Sequence, residues 1–88
     1  MTLQQLKYIV AVAEQKSMRR AADALYLSQP SLSNSVRELE GEIGLTLFRR
    51  SNRGIELTAE GEEFLSYARQ ILEQYRLMEA RYIERKAF

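Results

Sequence analysis

The sequence of 88 residues predicts a mainly α-helical fold, in which three short helices and a β-hairpin precede one long helix. Apolar residues recur at helical spacing in four separate segments, and a Ser or Thr precedes each one, where its hydroxyl can cap the first turn. Between the third and fourth segments, two short strand-like runs flank a polar stretch with a glycine, which is typical of a hairpin. With 45% hydrophobic residues, the chain can bury one modest core.

Cysteine and histidine are both absent from these 88 residues. Disulfide frameworks, Cys/His zinc sites, thiol nucleophiles and histidine general bases are therefore excluded, and no other nucleophile and base are arranged for catalysis. We expect no cofactor, no metal and no enzymatic activity. No apolar run approaches membrane-spanning length and no signal peptide is evident, so we expect a soluble, cytoplasmic protein without membrane contact.

The net charge of +1 conceals an uneven distribution along the chain. Residues 16–53 contain seven basic and four acidic residues, whereas residues 54–88 contain five basic and seven acidic ones. The first segment would attract a polyanion such as nucleic acid, although uneven charge is also common by chance in small proteins.

The first two helices are short and mainly structural. Thr2 and Gln5 have the spacing of a capping box, and the helix that follows is predicted to end near residue 15. Its apolar face consists of Leu3, Leu6, Ile9, Val10 and Ala13. Ser17 is the predicted N-cap of the second helix, whose narrow apolar face consists of Ala21, Ala22 and Leu25.

The third helix follows after a tight turn at residues 26–28, which is helix-turn-helix spacing. Ser28 is its predicted N-cap, Pro30 fits its first turn, and Gly44 is its predicted C-cap. One face is an apolar stripe that packs into the domain: Leu32, Val36, Leu39 and Ile43.

The opposite face of the third helix carries short polar side chains and one charge: Gln29, Pro30, Ser33, Asn34 and Arg37. The amides of Gln29 and Asn34 match the acceptor and donor that adenine presents in the DNA major groove, and the serines permit close approach. The alternative is that these residues are ordinary cap and surface residues.

Arginines near the helix-turn-helix are candidates for contacts to the DNA backbone. Arg19 and Arg20 lie at the positive end of the second helix, where a phosphate could bind them together with the Ser17 hydroxyl. We assign Arg37 and Arg50 to the same role. Solvated surface arginines are the alternative.

The hairpin that follows the third helix is predicted to be a wing. Its strands are expected at residues 45–50 and 55–57, with a polar loop from Ser51 to Gly54. Arg53 lies on that loop next to Asn52, and an arginine on a thin loop can enter a narrow minor groove. The alternative is a solvated turn residue.

The last helix is predicted to begin after Thr58, with Glu60, Glu62 and Glu63 complementing its dipole rather than binding a metal. Its apolar residues form a heptad seam: Phe64, Ala68, Ile71, Leu72, Tyr75, Met78 and Tyr82. A helix of about 28 residues would be about 42 Å long, which exceeds what so small a domain can cover. We therefore predict that the seam forms a homodimer, the alternative being that it packs entirely on its own domain.

Several spaced motifs, in the right order and over nearly the whole chain, resemble the DNA-binding region of LysR-type transcriptional regulators. They are LQQLKYIVAVAE in the first helix, AADAL before the turn, SQPSLS at the start of the recognition helix, LEGEIGLTLFRR into the wing, and LTAEG at the start of the last helix. Two positions depart from the family pattern: Asn34, where Arg or Lys is frequent, and Gly41, where Glu is usual.

The resemblance implies a winged helix-turn-helix at residues 1–57 and a linker and dimerisation helix at residues 58–88. It implies sequence-specific binding to a double-stranded DNA operator with inverted-repeat half-sites by a dimeric bacterial regulator. The implied major-groove residues are Gln29, Pro30, Ser31, Ser33 and Asn34, with Arg53 at the wing. A small-molecule effector would bind a further domain that these residues do not include.

A different class of function is also compatible with the residues. The basic segment could bind an acidic protein while the last helix forms a coiled coil with a partner. Steep salt dependence together with duplex specificity would distinguish DNA binding from this alternative.

Overall fold

A computed structural model describes residues 1–84. The elements in chain order are α1 (Leu3–Gln15), α2 (Met18–Ala24), α3 (Gln29–Ile43), β1 (Phe48–Ser51), β2 (Gly54–Leu57) and α4 (Ala59–Tyr82). Four helices and a two-stranded antiparallel wing confirm the predicted winged helix-turn-helix followed by a long helix. Residues 85–88, the end of the predicted linker helix, lie outside the described residues.

Local hydrogen bonds set the start of each helix. The Thr2 hydroxyl accepts from the Gln5 N–H at 3.0 Å, and the Gln5 side chain accepts from the Thr2 N–H at 3.1 Å. The other three caps each accept from the backbone N–H three residues later: Ser17, Ser28 and Thr58. All four predicted N-caps are confirmed, as is the C-cap of α3 at Gly44.

The core lies where α1 crosses the helix-turn-helix. Its buried side chains are Ile9, Val12, Ala21, Ala22, Leu32, Val36, Leu39 and Leu47. The predicted stripe on α3 is buried except for Ile43, which is half-buried at the edge. On α1, Val12 is buried whereas the predicted Val10 and Ala13 are only half-buried. The helix α1 packs against α2, α3 and α4, so residues on more than one of its faces are buried, whereas the sequence predicted burial of a single face.

The wing is shorter than predicted, with a turn of only two residues, Asn52 and Arg53. Ser51 pairs with Gly54, and the register continues to Phe48 opposite Leu57. Residues 45–47, expected in the first strand, form no strand.

The second strand of the wing is docked on the corner between α1 and α2. The Ile55 N–H donates to the Lys16 carbonyl at 3.1 Å. Gly54 has φ of 105°, and a Cβ at this position would lie 2.6 Å from the same oxygen. This close approach fixes the wing beside the N-terminus of α2.

The last helix, α4, makes the molecule elongated, with extents of 49 × 25 × 22 Å. Its 24 residues are fewer than predicted and correspond to about 36 Å. The first half packs on α1, and Arg69 lies 3.9 Å from Glu14 across this contact. No helix within residues 1–84 is long and apolar enough to cross a membrane.

Candidate nucleic-acid interface

The predicted base-reading residues lie at the N-terminal end of α3, the second helix of the helix-turn-helix. Gln29, Pro30 and Asn34 are exposed, while Ser33 is half-buried beside the wing. Leu32 and Val36 are buried on the other side and hold this face outward. A helix presented in this way has the geometry to enter a major groove with its first turns.

Ser31 is exposed but already takes part in the helix cap. The Ser28 hydroxyl accepts from the Ser31 N–H at 3.2 Å and donates to the Ser31 hydroxyl at 2.8 Å. The Ser31 hydroxyl therefore keeps its proton free to donate, with one lone pair occupied.

A groove lies between the N-terminus of α2 and the wing, and it brings together polar residues from distant parts of the chain. The side chains that matter here are Lys16, Ser17, Arg19, Gln29 and Arg50. Ser17 accepts from the Arg20 N–H at 3.1 Å, so its hydroxyl proton is free for an acceptor. Cations, a hydroxyl and a helix N-terminus together suit a phosphate.

A second groove lies between α3 and the wing. Its polar lining consists of Ser33, Arg37 and Glu40 from α3 and of Arg49 and Arg50 from β1. Arg50 lines both grooves and stands opposite Ile55 in the hairpin, so no acidic residue faces it across the strands.

Three arginines within residues 1–84 form ion pairs. Arg49 lies 3.8 Å from Glu56 on the paired strand, Arg69 pairs with Glu14, and Arg76 pairs with Glu73 at 2.8 Å. In this part of the chain, the arginines predicted to contact DNA form no ion pair: Arg19, Arg20, Arg37, Arg50 and Arg53. Positive charge is thus left unneutralised around the start of α3.

Arg53 lies at the exposed tip of the wing. Its backbone N–H donates to the Ser51 hydroxyl at 3.1 Å, which fixes the turn while leaving the guanidinium free. Arg53 does not line the α2–wing groove; it lines a neighbouring groove together with Lys16 and Glu62. Arg53 therefore lines neither of the two grooves beside α3.

The inner end of the predicted dimerisation seam packs on its own domain. Ala68 is only 1% exposed, and Phe64 packs against the core of the same chain. Ala68 is therefore covered by its own chain, and Phe64 is half-buried. Heptad spacing alone did not distinguish a seam buried in its own domain from one that faces a partner.

The outer half of α4 presents an apolar groove. It is lined by Ile71, Tyr75, Leu77, Met78 and Tyr82, together with Leu3 of α1. Leu72 and Tyr75 are half-buried, whereas Ile71, Met78 and Tyr82 are exposed. On the same helix, hydrogen bonds from Arg76 hold the pKa of the Glu73 carboxyl below its ordinary value.

Two groove residues were not among those predicted. Lys16 ends α1 in the left-handed conformation, with φ of 54°, and lines the α2–wing groove. The sequence could have identified Lys16 as a groove residue, because it directly precedes the N-cap Ser17. Arg49 lines the α3–wing groove but is paired with Glu56, a contact that depends on the strand register.

A model of one protein family matches most of the chain. Its description is bacterial regulatory helix-turn-helix protein, lysR family, and it matches residues 3–62. The match covers α1 to α3, the wing and the start of α4.

Curated proteins with similar sequences are named as transcriptional regulators. The chain is 51% identical over 73 residues to the HTH-type transcriptional regulator TcbR of a Pseudomonas species, covering 83% of this chain and 25% of TcbR. It is 51% identical over 72 residues to BudR of Klebsiella aerogenes, covering 82% of this chain and 50% of BudR. The chain thus spans 25% of one relative and 50% of the other.

Solved structures with the same fold include complexes with DNA. The CbnR DBD–DNA complex aligns with a TM-score of 0.86 at 46% identity, covering 99% of this chain and 98% of that one. The complex of the BenM DBD with benA site 1 DNA aligns with a TM-score of 0.90 at 39% identity, covering 99% and 97%.

Proposed function

Because the chain belongs to the LysR family of bacterial regulatory helix-turn-helix proteins, we propose that it binds double-stranded DNA sequence-specifically for transcriptional control. The observation that carries this proposal is that Arg19, Arg37 and Arg50, which line the two grooves beside the exposed start of α3, form no ion pair within residues 1–84. Unneutralised cations next to a polar helix face suit a polyanion whose base edges that helix can reach. The DNA complexes of CbnR and BenM support the same function.

We assign the residues to three kinds of contact with DNA. Base edges in the major groove are read from the start of α3: Gln29, Pro30, Ser31, Ser33 and Asn34. Phosphates are bound by the residues of the two grooves and the N-terminus of α2: Ser17, Arg19, Arg20, Arg37 and Arg50. Arg53 enters the minor groove from the wing tip.

We further propose that the chain acts as a homodimer through the outer half of α4. Support comes from the apolar groove at Ile71, Tyr75 and Met78, since two such faces can bury each other. The interface residues are Ile71, Leu72, Tyr75, Met78 and Tyr82. Two copies would present two recognition helices to inverted half-sites. Residues 1–57 then form the DNA-binding unit, and α4 is the linker and dimerisation helix.

The regulator works in the cytoplasm, where bacterial DNA lies, and has no enzymatic role. Relatives such as TcbR and BudR are named as transcriptional regulators. Within residues 1–84, no cluster of His, Cys, Asp or Glu is arranged to hold a metal ion. Polar side chains around α3 suit recognition rather than catalysis.

Selection of bound sequences from a random duplex pool tests the proposal. We expect enrichment of a motif with two inverted half-sites. The selected duplex should bind more tightly than unrelated duplexes by about 10³-fold or more. Equal binding to all duplexes and to an acidic polypeptide would refute it in favour of a general polyanion- or protein-binding module.

A further inference from the structure

Leu47, between α3 and the wing, connects the recognition helix α3 to the linker helix α4. Its side chain is completely buried in the core. Its N–H donates to the Glu40 carboxylate of α3 at 2.6 Å, and its carbonyl accepts from the Thr58 N–H at 2.9 Å. A single residue therefore joins the two helices through both of its backbone polar groups.

On the side of α3, the group that binds Leu47 is a carboxylate. The same Glu40 oxygen also accepts from the Phe48 N–H at 3.4 Å. Glu40 forms no ion pair within residues 1–84, so backbone N–H groups are its partners in this part of the chain. Hydrogen bonds to a carboxylate are stronger and more directional than those between neutral groups.

The connection is tight on the side of α4. The Thr58 hydroxyl donates to the Thr46 carbonyl at 2.6 Å while capping α4 through the Gly61 N–H at 2.9 Å. A Cβ at Gly61 would collide with the Leu47 carbonyl oxygen. The first turn of α4 therefore packs directly against the backbone of Leu47. This contact fixes the position at which α4 begins.

Apart from Leu47, α3 and α4 are linked mainly through the elements on which each of them packs. In the described residues, α3 packs mainly on α1 and α2, whereas α4 packs mainly on α1 and β2. Apolar packing of this kind is non-directional, so it permits small rotations that directional hydrogen bonds oppose.

We propose that Glu40 is a positioning residue that fixes the angle between α3 and α4 and thereby sets the half-site spacing that the dimer accepts. The inference rests on the proposed function, since spacing has meaning only for a dimer on two half-sites. In such a dimer the two linker helices form the interface, and the angle at Leu47 determines where each recognition helix points. A change of one base pair rotates one half-site by about a tenth of a turn, so small angular changes are measurable.

A set of duplexes tests this directly. Each duplex carries two inverted copies of the selected half-site, separated by spacers that differ by single base pairs. For Glu40→Ala we expect the preference for the best spacing over its neighbours to fall by about threefold or more, because a charge-assisted contact is lost. Base preference within an isolated half-site should be kept.

Glu42→Ala is the matched control. Glu42 lies on the same helix and is exposed, and its carboxylate contacts only the N-terminal amine among residues 1–84. Its spacing profile should equal that of the parent chain. If Glu40→Ala also keeps the parent profile, the inference is overturned while DNA binding stands. If the parent chain binds no duplex specifically, the proposed function itself fails.

A measurement without DNA examines the angle itself. The chain contains no cysteine, so Glu38→Cys on α3 and Glu79→Cys on α4 provide two unique exposed sites for spin labels. Pulsed electron paramagnetic resonance on labelled chains diluted with unlabelled ones should give a narrow distance distribution. Glu40→Ala should broaden it, and an unchanged width would overturn the inference.

Should Glu40→Ala fail to fold, the other end of the connection decides the question. Thr58→Ala removes the hydroxyl that anchors α4, whereas Thr58→Ser keeps it. We expect a flattened spacing profile and a broadened distance distribution only for the alanine variant. Equal spacing profiles for Thr58→Ala and Thr58→Ser would show that the Thr58 hydroxyl does not fix the angle between α3 and α4, and would overturn the inference.

Discussion

Removal of the Arg50 guanidinium should weaken DNA binding in a salt-dependent way. Arg50 lines both grooves beside the recognition helix and forms no ion pair within residues 1–84. The adjacent Arg49 lies 3.8 Å from Glu56 and is partly neutralised. The two arginines therefore differ in electrostatic environment although they are neighbours on the same strand.

The expected magnitude follows from counterion release. Each phosphate contact contributes about 0.9 to the slope of the logarithm of the association constant against that of the salt concentration. Four arginines assigned to phosphates per chain give a dimer a slope of about −7. Arg50→Ala removes one contact per chain and should reduce the slope by about 1.8. The ratio of parent to variant association constants should then fall about 12-fold between 50 and 200 mM salt.

Fluorescence anisotropy with one labelled operator duplex at several salt concentrations provides the measurement. Arg76→Ala, on the outer half of α4, is the remote control and should leave the slope unchanged. Arg49→Ala should reduce the slope by clearly less than Arg50→Ala. A parent-like slope for Arg50→Ala, or equal reductions for both wing arginines, would show that the lack of an ion pair does not identify the phosphate contacts.

Other substitutions separate the remaining roles. Asn34→Ala should lose about 1–3 kcal/mol of discrimination at one base pair per half-site with little change in salt slope, as measured with single-base operator variants. Arg20→Ala should weaken binding to all duplexes alike, and a change at a single base pair would contradict its assignment. Arg53→Ala should weaken binding most where A/T tracts flank the half-sites; equal loss on G/C-flanked duplexes would make it a general phosphate contact. Ile71→Glu combined with Tyr75→Glu should yield monomers in analytical ultracentrifugation with helicity retained, and a dimer at micromolar protein would exclude this groove as the interface.

Helix positions were predictable because their determinants are local. The caps at Thr2, Ser17, Ser28 and Thr58 depend on a hydroxyl and an N–H three residues away, which the sequence displays directly. The exposed face of α3 followed in the same way, since burial of its apolar stripe leaves only one face outward.

Contacts between distant residues were not predictable. Residues 45–47 have strand-like composition, yet the Leu47 N–H binds Glu40 and its carbonyl binds Thr58, so no strand partner is needed. Ala68 has the same spacing as the exposed seam but is covered by its own domain. In both cases, the deciding partner lies far away in sequence, where periodicity carries no information.

The docking of the wing has a consequence for engineering this protein. Gly54 cannot accept a side chain beside the Lys16 carbonyl, and the first strand begins at the anchored Leu47–Phe48 pair. Asn52 and Arg53 form the turn between the two paired strands and are exposed at the tip. If the wing tip contacts flanking DNA as proposed, we expect that exchanging or lengthening these two residues changes the preference for flanking DNA and leaves the half-site preference of α3 unchanged.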